Sequence, residues 1–155
     1  GKWFNLLTVK RVTDKYNEGW NVSYTGFSDN DKDLIIPFVL GYGQSKSKSD
    51  VVQERGYRSV ESYALGFGFN GFIKITPGVY FDLGLNVPIG VEVLRDLEDK
   101  KSTHFLIGLS ANQGVKIIPW KDFGMVIGAG VFQRWQTSKV INRNFGFQLE
   151  LGINF

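Results

Sequence analysis

The sequence predicts an all-β domain of eight antiparallel strands closed as an up-and-down transmembrane barrel, and three observations carry that expectation. The first is strict alternation at the end of the chain, where Phe145, Phe147, Leu149, Leu151, Ile153 and Phe155 are separated by Gly146, Gln148, Glu150, Gly152 and Asn154. Successive side chains of a strand point to opposite faces, so this strand has one apolar face and one small or polar face. The second is composition: 43% of residues are hydrophobic, 15% are aromatic and 19 are glycine, yet mean hydropathy is only −0.11. Alternation hides hydrophobicity from an average when half of every strand faces a polar interior. The third is the rhythm of polar breaks, which divides 155 residues into eight segments, each able to cross a bilayer with ~9–11 residues.

The same bounds exclude other classes. No run of ~18 apolar residues exists, so no transmembrane helix is expected. Without cysteine there is neither a disulfide framework nor a thiolate metal site, and no metal or cofactor is expected. The net charge of +3 is mild, and lysine and arginine are scattered rather than clustered with stacking aromatics, which argues against nucleic acid. No signal peptide is visible, so export is inferred from the strands. Residues 1–155 read as one domain.

The first strand is expected over residues 2–12, with poor alternation and an uncertain face. Residues 18–28 set Trp20, Val22 and Tyr24 against Asn21, Ser23 and Thr25, and Asp29-Asn30-Asp31 signals a turn. A third strand, 33–44, sets Leu34, Ile36, Phe38, Leu40 and Tyr42 on one face; Ile35, Pro37 and Val39 make the other less polar than a barrel interior should be. Residues 45–56 form the longest polar connection. From Tyr57 a long fourth strand carries Tyr63, Leu65, Phe67 and Phe69 and continues through Ile73 and Ile75 to the turn at Thr76-Pro77-Gly78. The Asn70-Gly71 pair between aromatics is also a hairpin signal. Accepting it would leave residues 72–76 too short to cross an apolar band of ~25 Å, so a bulge near Gly71 is expected instead.

The fifth strand sets Val79, Phe81, Leu83, Leu85, Val87, Ile89, Val91 and Val93 against Asp82, Gly84, Asn86, Gly90 and Glu92, and 96–102 is a solvated loop. The sixth, 103–118, and the seventh, 123–137, alternate similarly around the turn 119–122. Residues 138–143 lead to the terminal strand. With both termini on the periplasmic side, the short turns fall inside and the two long polar connections outside, as outer-membrane barrels require.

A soluble ligand-binding barrel has the same alternation with its apolar face turned inward. Glycines decide for lipid: Gly66, Gly68, Gly84, Gly90, Gly108, Gly114, Gly124, Gly128, Gly130, Gly146 and Gly152 crowd the polar face, where a narrow interior needs room. Aromatics agree, with Trp3, Phe81, Trp120, Phe123 and Phe155 mapping to a periplasmic girdle and Trp20, Tyr63, Phe105, Trp135 and Phe145 to an outer one. Pro37 and Pro88 count against closure, since each removes a ladder hydrogen bond.

On these residues the chain resembles the small eight-stranded bacterial outer-membrane proteins of the OmpX and OmpA-barrel type, with OmpW a looser relative. The most specific element is the C-terminal row Phe147, Leu149, Leu151, Ile153 and Phe155. In those families this row is the signal read by the barrel assembly machinery, and the resemblance implies the same use here. It also implies residence in the outer membrane, with the lipid bilayer and lipopolysaccharide as surroundings, and a monomer.

Inside the barrel the inventory of Lys74, Asp82, Glu92, Lys116, Arg134 and Glu150 carries both signs. Buried charges must pair, so Lys74 or Lys116 with Asp82, and Arg134 with Glu92 or Glu150, are expected to cross-link a filled core rather than line a pore. His104, the single histidine, is a weak catalytic candidate near Ser102 and Ser110, because lipid-modifying enzymes exist on such barrels; no nucleophile motif surrounds it. Lys46, Lys48, Arg55 and Arg58 around the longest connection, and Lys100 with Lys101 in the next, are candidates for contact with lipopolysaccharide phosphates or a host surface. Passage of an ion, or of a small hydrophobic molecule leaving sideways near Pro88 in the manner of OmpW, is the remaining alternative. The expectation is a non-enzymatic structural or surface-interaction protein.

Overall fold

The computed structural model describes residues 2–29, 34–120, 122–138 and 142–155. The expected turn at Asn30-Asp31, the first residue of the third strand and the centre of the 138–143 loop lie outside the described residues. The strands are β1 (Lys2–Asp14), β2 (Asn17–Asp29), β3 (Leu34–Ile35), β4 (Phe38–Ser47), β5 (Tyr57–Thr76), β6 (Val79–Asp96), β7 (Lys101–Ile117), β8 (Gly124–Gln136) and β9 (Arg143–Asn154). One short helix, α1 (Ser49–Glu54), lies between β4 and β5. β3 and β4 are two parts of one stave interrupted at Ile36 and Pro37, and both pair with β5. Every stave pairs antiparallel with its sequence neighbour, and β1 pairs with β9, so eight staves close a barrel without a free edge.

The outward faces are predominantly apolar. Phe69, Phe105, Phe123 and Leu149 are each more than 60% exposed, and the aromatics of both expected girdles point outward. A side chain so exposed and so apolar belongs in hydrocarbon, and a soluble barrel would have turned it inward. The C-terminal row of Phe147, Leu149, Leu151, Ile153 and Phe155 forms one outward stripe on β9.

Several boundaries move. The 13–17 break shrinks to Lys15 and Tyr16, because Asp14 accepts the backbone N–H groups of Tyr16 and Asn17, both at 2.7 Å. The 45–56 connection is not wholly loop: β4 runs to Ser47 and α1 occupies most of the remainder. The 96–102 loop contracts to a turn in which Asp96 Oδ1 accepts N–H from Glu98 and Lys100. No bulge occurs at Gly71, since pairing of β5 with β6 runs in one register from Ser59 to Lys74; the irregularities fall at the two ends of β5. Pro88 keeps its place in the β5–β6 ladder, but pairing of β6 with β7 skips Val87 and Pro88.

Candidate functional site

The barrel interior is stacked in layers, from the inner end, where both termini lie, to the outer. At the inner end is an apolar plug. Phe4 stacks on Phe27 at 5.4 Å, Phe27 meets Phe72 edge-on at 5.4 Å, and Phe72 meets Tyr80 at 5.9 Å. Leu6, Ile35, Ile118 and Val126 complete the cluster, all buried. These residues face inward, where the expected interior was polar. The weak alternation of β1 and the apolar inner face at Ile35, Pro37 and Val39 are the traces of this plug in the sequence.

Above the plug lies an ionic layer. Lys116 Nζ sits 3.3 Å from Asp82 Oδ2 and 3.2 Å from Glu150 Oε1, and Lys10 reaches Glu150 Oε2 at 3.7 Å. Two cations and two carboxylates make the layer neutral, as burial demands. The remaining lone pairs are filled by Asn70, which donates to Asp82 Oδ1 at 2.5 Å, and by Thr8, which donates to Glu150 Oε2 at 2.8 Å. Lys116 also stands 4.8 Å from the Phe72 ring centre, joining this layer to the plug. Gly84 and Gly128 make the room: a Cβ on Gly84 would fall 2.3 Å from Asn112 Oδ1, and one on Gly128 2.9 Å from Glu150 Oε1.

Of the expected pairs, Lys116 with Asp82 forms. Lys74 lies toward the inner mouth, opposite Tyr80 across the β5–β6 ladder and outside this layer. Arg134 forms an ion pair with neither Glu92 nor Glu150, which is a correction to the expected pairing. Glu150 is already occupied by Lys116, Lys10 and Thr8, while buried Glu92 takes the hydroxyl of Ser138. Arg134 lies higher, 5.1 Å from the Phe132 ring centre.

The outer mouth is covered by α1. Val52 is 1% exposed and packs with Val60 and Leu94 from the inner faces of β5 and β6, flanked by Tyr16, Val51 and Tyr57. Lys48 N–H donates to Tyr16 carbonyl at 2.7 Å, and Arg55 lies over the Tyr16 ring at 5.8 Å, so the first two outer connections are fastened together.

The loop candidates separate into two groups. Lys46 stands on the outer wall in a hollow lined by Arg11, Glu18, Glu61 and Tyr63, while Lys48 and Arg55 flank α1. Next along the outer rim, on β5 and β6, Arg58 and Arg95 both reach Asp99 Oδ1, at 3.4 and 3.6 Å. Asp99 has φ +65°, a conformation its short polar side chain tolerates. Lys100 reaches Glu98 at 3.5 Å. Beside them a cleft of about 360 Å³ is lined by Tyr57, Leu94, Asp96, Lys100, Lys101, Ser102 and His104. His104 faces inward opposite Glu92 across the β6–β7 ladder, and among the described residues it makes no hydrogen bond to a hydroxyl. The geometry there supplies cationic and neutral donors and no assembled nucleophile–base pair.

Fold and layering together define a small eight-stranded β-barrel of the outer-membrane class. No protein-family model matches the chain, and no curated protein sequence matches it. Solved structures do share the fold. Neisserial surface protein A is 16% identical with a TM-score of 0.65, over 98% of this chain and 95% of that one. Ail, the attachment invasion locus protein of Yersinia pestis, solved with the heparin analogue sucrose octasulfate, is 16% identical with a TM-score of 0.61, over the full length of both chains. The N-terminal β-barrel domain of Pseudomonas aeruginosa OprF is 14% identical with a TM-score of 0.53, over 97% of each.

Proposed function

We propose that this protein is a monomeric, non-enzymatic barrel of the bacterial outer membrane that recognises polyanionic groups, of lipopolysaccharide or of a host surface, at its outer end. The observation that carries this reading is the sharing of Asp99 by Arg58 and Arg95 beside Lys100, Lys101 and His104. One carboxylate cannot neutralise two guanidinium groups, and the open cleft beside them adds Lys101, for which no ion pair occurs among the described residues. Phosphate or sulfate esters complement such a surface in charge and in the forked geometry of arginine. The barrel of Ail, captured with a heparin analogue, is a precedent for this fold carrying such chemistry. The C-terminal stripe on β9 serves as the signal for the assembly machinery.

The aromatic plug supports recognition over passage. An ion travelling along the axis would have to displace the Phe4, Phe27, Phe72 and Tyr80 rings and then break a neutral ion-pair layer. The test is the triple variant Arg58→Glu, Arg95→Glu, Lys101→Glu, folded in detergent and assayed for retention on immobilised heparin and for lipopolysaccharide binding. Loss of both with heat-modifiability kept supports the reading. Unchanged retention would make the rim an ordinary solvated surface.

A further inference from the structure

Between the ionic layer and the α1 cover, the barrel holds a partly open cavity of about 60 Å³. We propose that it binds one small inorganic oxyanion, of sulfate or phosphate size, on the guanidinium of Arg134. The lining residues include Asn21, Ser45, Ser62, Asn86, Ser110 and Arg134, and none of the residues lining the cavity is a carboxylate. Arg134 is the cation of this set and lacks a bonded counter-charge. Its Nε is sealed from solvent with no hydrogen-bond partner, and among the described residues Arg134 forms no ion pair. The nearest carboxylate, Asp14, supplies charge from a distance but no bond to the guanidinium: its oxygens take the N–H groups of Tyr16 and Asn17 and the Asn144 amide at 3.1 Å.

A cation withdrawn from bulk water requires an anion or a full set of acceptors. The guanidinium fork takes two oxygens of a tetrahedral oxyanion at once. The serine hydroxyls around it can each rotate to donate, so neutral donors are available for the remaining oxygens. Space agrees with the chemistry. One water needs ~10–15 Å³ of such space, so the cavity has room for a small tetrahedral oxyanion. Gly66 keeps it open, because a Cβ there would fall 2.8 Å from the Asn86 amide nitrogen. Water alone would fill the space and leave the guanidinium without a bonded anion.

The site is separate from the basic rim, so either can fail without the other. The test uses the full chain folded in detergent. Sulfate is titrated at constant ionic strength against the heat-modifiability midpoint of the wild type, Arg134→Gln and Arg134→Lys. General salt effects act on all three, so the readout is the difference between curves. The expected result is a midpoint that climbs with sulfate in the wild type, climbs less in Arg134→Lys and does not climb beyond the general salt response in Arg134→Gln. As a second measurement needing no variant, crystals of the wild type are soaked in selenate, and anomalous density is expected beside the guanidinium. Parallel curves in all three proteins, or density confined to the outer surface, would overturn the proposal. If Arg134→Gln does not fold, the selenate position decides alone.

Discussion

Lys116 Nζ stands 3.2 Å from Glu150 Oε1 across the barrel lumen, on strands that are not neighbours in the wall. The bond therefore ties β7 to β9 through the interior, past the intervening β8, and Asp82 extends the tie to β6. A wall held only by ladder hydrogen bonds would have no such cross-bracing.

Removing the lysine leaves two buried carboxylates with Lys10 as their one cation. Lys116→Met should lower stability by about 3–5 kcal/mol, read as a lower urea midpoint in detergent. Adding Asp82→Asn to the same chain should return most of that loss, because Lys10 then balances Glu150 alone. A double variant as unstable as the single one would show that shape rather than charge holds the layer.

The plug makes a separate prediction about transport. The folded wild type should give no discrete conductance steps in planar bilayers at high salt. Phe72→Ala, which removes the ring shared by Phe27, Tyr80 and Lys116, should cost about 3–5 kcal/mol through the cavity it leaves. Steps in the wild type would mean that the aromatic layer opens.

Gln113 and Gln133 exchange two hydrogen bonds, at 3.0 and 3.1 Å, on the lipid-facing wall of β7 and β8. Gln113→Leu alone leaves the Gln133 amide facing hydrocarbon and should cost about 1–3 kcal/mol. The double change to leucine should be neutral or stabilising, because no polar group is then left without a partner. Equal losses for the single and double variants would refute the pairing as the source of the cost.

The cover over the outer mouth should be separable from the wall. Val52→Asp puts a charge among Val60, Leu94 and Tyr57 and should release α1, read as proteolytic cleavage within residues 48–56 while heat-modifiability is retained. Protection equal to the wild type would mean that this apolar contact does not hold the helix.

Staves, faces and girdles were legible because a period of two is a local property. Phe145 to Phe155 and Val79 to Val93 declare their outward faces without reference to any partner. The inner face is harder, because part of what it contacts lies two or more staves away. Phe4 opposes Phe27 on the β1–β2 ladder, and Phe72 and Tyr80 sit on the neighbouring β5 and β6, but Phe27 and Phe72 are two staves apart and nothing in their spacing links them. The pairing of Arg134 failed for the same reason, as charge type was visible and height in the lumen was not. Lys116 with Asp82 was recoverable because β6 and β7 are neighbours, which puts the two residues on the same inner face at similar depth. Helix α1 hides in a run of serine and lysine, where only Val51 and Val52 hint at a buried side.

The central claim is that the apolar belt faces lipid, and Trp3, Trp20, Trp120 and Trp135 report on it directly, since all four point outward near the two girdles. The measurement is quenching of their fluorescence by phospholipids brominated at successive acyl positions, with the protein refolded into vesicles. Outward girdles predict strong quenching by bromines near the headgroup and weaker quenching at the midplane. Fluorescence untouched by bromine at any depth, together with a folded monomer in detergent-free buffer, would contradict the claim.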